Sequence, residues 1–398
     1  MGFQMASLLI RNANLLTDTN VLDPGWLHIE HGKIVEFGCG EPSTSLAKSM
    51  ASDTIDAKRQ WVVPGFIDIH VHGADGYTVM DGTTKAIRTI GRFHASHGTT
   101  GWLPTTLTAP IPELERSVRA VQDVKLAESI HDGAAILGLH LEGPFISPDK
   151  VGAQNPDFVH IPSVDVMEHL TSIAPGLIRK VTIAPEREGS LDVIRWLTKE
   201  GIISSIGHTN GTFKETMHGI EAGATHATHL FNAMRGIHHR EGGVVGACLL
   251  SEHVVCELIA DGHHVRIEVM KLIVRTKGKH NIALITDAIA ATGKPDGIYQ
   301  LGGLDIIVKD GKSILAEGHN LAGSTLTMDV AVRNMVNKVG VSLVDAIEMA
   351  STVPARELGY STSKGKVAVG YDADLTLLDE SLSVTRTFVL GKEVFRRE

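Results

Sequence analysis

The chain has 398 residues, with a hydrophobic fraction of 43% and a charged fraction of 21%, a balance that allows a large buried core and excludes global disorder. A net charge of −9 argues against a nucleic-acid surface and leaves small anionic substrates open. The three cysteines, Cys39, Cys248 and Cys256, have no C-x-x-C spacing and read as reduced thiols of a cytoplasmic protein, the last two in its core.

The opening stretch "MGFQMASLLIRN" lacks a basic region followed by a long apolar one, so no signal peptide is expected, and Ala6 stands where a myristoylation signal needs Ser or Thr. Residues 6–63 then read as short strands joined by turns: "SLLIRNANLLT", "WLHIEHGKIVEFG" and "TIDAKRQWVVP", with "HGK" as a hairpin turn. The last thirty or so residues repeat the style in "ADLTLLD" and "SVTRTFVLGKEVFR". The two ends are expected to form one small β-sandwich domain, residues 1–63 plus 366–398, with residues 64–365 inserted between them.

Inside the insertion the period changes. Strand-like runs ("GFIDIHVHG", "TTGWLPTT", "AAILGLHLEGPF", "KVTIAPE", "IISSIGHTN", "HATHLFNAM", "VVCELIADGHH", "NIALITDAIA") alternate with amphipathic helical stretches such as "TTKAIRTIGRFHASH" and "SLDVIRWLTKE". About eight β–α units over roughly 290 residues predict an α/β fold of the (β/α)8 TIM-barrel type. No G-x-G-x-x-G follows a strand, which disfavours a dinucleotide fold. Helical residues 324–359 continue the outer layer. No apolar run reaches about 18 residues, so no membrane-spanning helix is expected.

The first run ends in H-x-H. Strand side chains alternate, so His70 and His72 share a face and both rings reach one point, while Val71 packs on the other side. The third run ends at His140 and Glu142, the fifth at His208, the sixth at His229, the seventh at Asp261, His263 and His264, the eighth at Asp287. In a barrel these ends converge on one rim, where active sites are built. Imidazole and carboxylate ligands without thiolates suit a divalent transition metal, with Zn, Fe and Mn as candidates, at a catalytic rather than a structural site.

This order of residues resembles the amidohydrolase superfamily. The local words "HLEGPF", "GHT", "THLFNAM", "HHREGG", "IADGHH", "LITDA" and "LAGS" together resemble, along essentially the whole chain, the N-acetylglucosamine-6-phosphate deacetylases. The resemblance implies removal of the N-acetyl group of N-acetyl-D-glucosamine 6-phosphate, giving glucosamine 6-phosphate and acetate, in amino-sugar catabolism and cell-wall sugar recycling. It implies Glu142, His208 and His229 as the principal metal site, and His70 and His72 as a second site bridged by Glu142, so one or two metals per chain. It implies Asp287 as the catalytic acid/base. Ala153, Asn232, Ala233, His264, Leu321, Ala322 and Gly323 fall at substrate-binding positions, with Asn232 and Ala233 acting through backbone amides. Arg240 falls at a phosphate contact that the family often supplies across a homodimer. One departure stands in "DKVGAQNP", where part of the family has a substrate-contacting His and this chain has Ala153 and Gln154.

The chemistry is coherent with those roles. Amide hydrolysis needs a nucleophile at neutral pH and a proton for the leaving amine. A metal ion lowers a water's pKa to about 7 and polarises the carbonyl; Asp287 at the last strand end suits the proton transfer, and His264 the developing oxyanion. A helix N-cap is the structural alternative for Asp287. An arginine fork suits a phosphate dianion. His28, His31, His94, His97, His131, His160, His169, His218 and His280 read as surface or helix-end residues, and His140 and His226 as neighbours that orient ligands. Competing readings are the galactosamine epimer as substrate, a cyclic amide as in dihydroorotase-like enzymes, and a catalytically silent barrel; the last is disfavoured because no ligand type is missing.

Overall fold

The computed structural model describes residues 7–127, 133–318 and 320–398; residues 1–6, with the N-terminal reading made on them, and His131 lie outside the described residues. The eight apolar runs form eight parallel barrel strands. Numbered on their own, they are β1 (Phe66–Val71), β2 (Thr99–Thr106), β3 (Leu139–Glu142), β4 (Ile178–Ile183), β5 (Ile203–Ile206), β6 (His226–Ala227), β7 (Val255–Ile259) and β8 (Ile282–Ile285). Each pairs in parallel with the next. The ring closes where Val71 bridges Ala288 and the Asp287 amide donates to His70 O at 2.9 Å. All residues of β1, β2, β3, β7 and β8 are buried, because side chains fill the inside and helices cover the outside.

One helix follows each strand: Thr84–Ser96, Ile111–Ala127, Val164–Ile173, Ser190–Lys199, Phe213–Glu221, Gly243–Leu250, Ile267–Lys277 and Met328–Asn334. The side chains of Thr83, Ser163 and Thr212 cap three of them at the N-terminus by accepting a backbone N–H. Thr84–Ser96 buries Ala86, Ile87, Ile90, His94 and Ala95, one face at helical spacing. His94, in the last turn of this helix, therefore lies in the core and not on the surface; burial pushes its imidazole down to about 3, and its Nε2 is 3.4 Å from Gly73 O.

Both chain ends join one eight-stranded sheet. Leu375–Leu378 pairs antiparallel with Trp61–Pro64, which pairs with Leu8–Leu16, and only Gly65 separates Pro64 from β1. Ile10, Leu15, Leu27, Val62, Leu375 and Phe388 form the core of this sheet. A three-stranded meander after β8 (Gly297–Leu301, Leu304–Lys309, Lys312–Leu315) was not expected. Its turns at Gly302-Gly303 and Asp310-Gly311 have both residues at positive φ, the conformation of tight hairpins. Leu301, Ile306 and Val308 pack on Leu107, Ala153, Ile289 and Ala322, which sets the meander beside the C-terminal rim of the barrel. No helix among the described residues is long and apolar enough to cross a membrane.

Candidate metal centre and active site

Alternation along β1 turns Asp68 and His70 inward, and His72 follows just beyond the strand end. The Nε2 atoms of His70 and His72 lie 3.2 Å apart. Glu142, the last residue of β3, reaches between the strands. Its Oε1 is 3.3 Å from His70 Nε2, 3.2 Å from His208 Nε2 and 3.0 Å from His229 Nε2; its Oε2 is 3.3 Å from His72 Nε2. The Nε2 atoms of His208 and His229 are 3.1 Å apart. Two groups able to hold an ion result, His70–His72–Glu142 and Glu142–His208–His229, sharing one carboxylate.

The far ring nitrogens say what the near ones do. His72 Nδ1 faces Thr105 O at 3.2 Å, and His208 Nδ1 faces Lys150 O at 2.9 Å. A carbonyl only accepts, so these Nδ1 atoms donate, and in neutral rings the Nε2 lone pairs point inward. His70 Nδ1 does the same toward Glu257 Oε2 at 3.1 Å. Lone pairs and carboxylate oxygens facing one another at about 3 Å repel unless a cation lies between them. The residues present therefore fit a divalent cation in each group.

Several of these residues sit in strained backbone. His208, His229 and Asp287 have φ of 46°, 31° and 52°. Non-glycine residues in this region cost on the order of 1–3 kcal/mol each and persist where surrounding structure holds them. Gly323, at φ +54°, is required by a close approach, since a Cβ there would meet Ile289 Cγ2 at 2.3 Å.

Asp287 Oδ1 lies 3.2 Å from His72 Nε2 and 3.5 Å from His70 Nε2. Asp287 leads into no helix, so it is not an N-cap. Burial pushes the Asp287 carboxyl up, but His70 and His72 beside it outweigh burial and hold it below the usual carboxylate range. Glu142 behaves alike: burial opposes ionisation, and the surrounding imidazoles, His70 and His208 first, hold it well below its ordinary value. His264 Nδ1 is 2.6 Å from Asp261 Oδ2, and Asp261 Oδ1 also accepts the backbone N–H groups of His263 and His264.

The centre floors a cleft of about 570 Å³. His72, Glu142, His208, His229 and Asp287 line it, with Ala153, Asn232, Ala233, His264, Leu321 and Gly323. Ala322 is fully buried behind that wall. The Asn232 amide, expected to face a ligand, donates instead to His229 O at 2.9 Å. Arg240 is exposed and stands outside the lining of its own chain's cleft.

The family model of the Amidohydrolase family matches residues 61–394. The chain belongs to the amidohydrolase family. Among relatives, it is 36% identical to the N-acetylglucosamine-6-phosphate deacetylase of Bacillus subtilis over 390 residues, 98% of this chain and 97% of that one. It is also 36% identical to the N-acetylgalactosamine-6-phosphate deacetylase of Escherichia coli O157:H7, covering 96% of this chain and 98% of that one. Among solved structures, an aspartate-to-alanine mutant of the Mycobacterium smegmatis deacetylase, in complex with N-acetyl-D-glucosamine-6-phosphate, superposes with a TM-score of 0.90 at 36% identity, covering 98% of this chain and 99% of that one. The Thermotoga maritima deacetylase gives 0.87 at 34% identity, covering 98% and 100%.

In this amidohydrolase three further side chains, Gln154, Lys180 and Glu257, support the site through contacts that no motif assigns. Gln154 donates to Glu142 Oε2 at 2.6 Å while its Oε1 accepts the Thr108 amide at 2.6 Å; a backbone N–H can only donate, so the orientation of the Gln154 amide is fixed. Gln154 thus fills the departure noted in "DKVGAQNP" with a contact to the carboxylate that the two histidine groups share. Lys180 and Glu257 form a buried ion pair inside the barrel, below the histidines. The lone Glu in the apolar run "VVCELIA" was the available signal. His140 reaches Thr182 Oγ1 at 2.7 Å and meets His70 edge-on at 4.7 Å between ring centroids, so it packs beside the His70–His72–Glu142 group. His226 does not; it faces Thr225 Oγ1 at 3.0 Å and Glu357 at 3.6 Å.

Proposed function

We propose that this amidohydrolase removes the N-acetyl group of N-acetyl-D-glucosamine 6-phosphate by hydrolysis, releasing acetate and D-glucosamine 6-phosphate. The observation that carries the reading is Glu142 shared between two histidine pairs, with Asp287 facing the same point in an open cleft. The proposed cofactor is a divalent transition metal, Zn, Fe or Mn, at one or two ions per chain, held by His70, His72, Glu142, His208 and His229. A cation bound there would lower the pKa of a water to about 7 and polarise the acetamide carbonyl.

The chain's own residues do the rest. Asp287, ionised beside His70 and His72, takes the proton of the attacking water and returns it to the amine nitrogen as the C–N bond breaks. His264, whose Nδ1–H donates to Asp261, turns Nε2 to the cleft; in the doubly protonated ring, with Asp261 as counter-charge, that nitrogen donates to the carbonyl oxygen as negative charge develops there. Ala153, Asn232, Ala233, Leu321, Ala322 and Gly323 shape the walls that hold the sugar. Arg240, exposed outside its own cleft, reaches the 6-phosphate bound to a neighbouring copy in a homodimer. We assign residues 64–365 to the catalytic domain and residues 1–63 plus 366–398 to the small β-domain, and place the enzyme in the cytoplasm, in keeping with three free cysteines.

An acetate-release assay on both epimeric phosphosugars tests the reading. Turnover of the glucosamine derivative well above the galactosamine one is expected. The reverse order would favour the second reading, the galactosamine epimer, which the Escherichia coli relative supports. Release from neither would overturn both.

A further inference from the structure

Glu257 lies in the middle of β7 with its side chain fully buried. It points into the barrel and pairs there with Lys180 of β4, itself fully buried. A buried ion pair is a weak device for stability, since apolar residues of similar volume do as well or better. The remaining contacts of the carboxylate say what it does. Its Oε2 accepts from His70 Nδ1 at 3.1 Å and from the backbone N–H of His229 at 3.2 Å. The Glu257 backbone carbonyl accepts from Leu230, the residue after His229, at 2.9 Å.

These contacts address both halves of the centre. His70 belongs to the His70–His72–Glu142 group, His229 to the Glu142–His208–His229 group. The bond to His70 Nδ1 fixes the tautomer whose Nε2 lone pair faces the ion. The bonds to residues 229 and 230 hold a backbone at φ 31°, a conformation that needs support from its surroundings. Without them the His229 ring has no fixed angle toward Glu142. Lys180 supplies the counter-charge that makes an anionic carboxylate tolerable in that interior.

We propose that Glu257 is the positioning residue of the metal centre, one carboxylate that sets His70 and His229 in register so that both groups present lone pairs to their ions. This rests on the reading that the two groups hold metal. Because Glu257 touches no substrate, its removal acts on metal affinity first and on turnover through it.

The test is a titration of metal-stripped protein with Co²⁺, followed by visible absorption, with bound ions per chain counted by elemental analysis. Two variants go beside the wild type. Glu257→Asp keeps the charge for Lys180 and shortens the reach by one methylene. Glu257→Met combined with Lys180→Met removes both charges and both acceptor oxygens at nearly constant volume, so it leaves no buried ion unpaired. Each is expected to bind Co²⁺ about 10- to 100-fold more weakly, the usual cost of losing a group that orients a ligand, with an altered cobalt spectrum and an unchanged far-ultraviolet circular dichroism spectrum. Wild-type affinity and spectrum in the double variant would show that the carboxylate serves only its ion pair and would overturn the proposal. Uptake of cobalt by the wild type with the same affinity in both variants would overturn it too, leaving the metal reading intact. No uptake by the wild type would overturn the metal reading and this inference with it.

Discussion

Oδ1 of Asp287 lies 3.2 Å from Nε2 of His72, across the seam where the last barrel strand meets the first. The carboxylate proposed to move protons therefore touches the same histidine pair that is proposed to hold an ion. Asp287→Asn keeps the shape and removes the base. It should retain bound metal and lose about 100- to 10,000-fold in kcat, the usual contribution of a positioned proton-transfer group. Steady-state kinetics with elemental analysis of the same sample checks this; turnover within a few-fold of wild type would move the base role to another group.

Arg240→Ala should raise KM for the phosphorylated sugar far more than it lowers kcat, because phosphate binding is remote from the reacting amide and similar in ground and transition states. Charge-assisted hydrogen bonds are worth about 1.5–3 kcal/mol, so kcat/KM should fall about 10- to 100-fold. Unphosphorylated N-acetylglucosamine should be turned over as before. Mixing Arg240→Ala chains with chains dead at the metal site should restore some sites of wild-type affinity, if the arginine crosses a dimer. Equal losses on both sugars would make Arg240 a structural residue.

Gln154→Ala removes the donor to Glu142 Oε2 and leaves the buried Thr108 amide without its acceptor. A hydrogen bond to a charged group is worth about 1.5–3 kcal/mol, so metal affinity should drop by about 10- to 100-fold and Tm should fall with it. Metal-buffered activity curves and a thermal melt would show this. An unchanged metal dependence would mean that Gln154 only supports the loop around Ala153.

Lys364 lies between Asp374 and Asp372, at 2.6 and 2.9 Å, beside the terminal sheet. Burial pushes its ammonium down, but the two carboxylates outweigh burial and raise it from 10.5 to about 12. The folded value lies above the ordinary one, so this stabilisation is fully present below about 10.5 and is lost as pH rises through about 12. Lys364→Met leaves Asp374 without its counter-charge, while Asp372 keeps Lys33 at 2.6 Å, and should cost about 3–5 kcal/mol at neutral pH. Denaturant melts of both proteins from neutral pH to about 12 should show the gap narrowing above about 10.5. A gap independent of pH would assign the loss to packing.

Much of this was legible in the sequence because both the barrel and its rim leave local marks. Each apolar run is a strand, and polar residues ending those runs must meet once the strands close in a ring. His70 and His72 are placed by period alone. Glu142, His208, His229 and Asp287 are placed by run number, and no contact information is needed. What stayed hidden depends on side chains meeting across the barrel. Glu257 and Lys180 sit in mid-strand, where a polar residue reads as a flaw until its partner from another strand is known. Gln154 gives no periodic signal; its role comes from a loop folding back over β3. The meander at Gly297–Leu315 did carry a signal, alternation with tight glycine turns, and was overshadowed by the β–α rhythm around it. Arg240 is the reverse case: its motif is clear, yet its own cleft does not contain it.

Metal content measured against turnover tests the central claim most directly. Purified protein should carry one or two divalent transition-metal ions per chain by elemental analysis. Stripping them with a strong chelator should abolish acetate release, adding back Zn, Mn or Fe should restore it, and Glu142→Ala should abolish both binding and activity with the fold retained. Protein with no bound metal and full activity in the chelator would contradict the account.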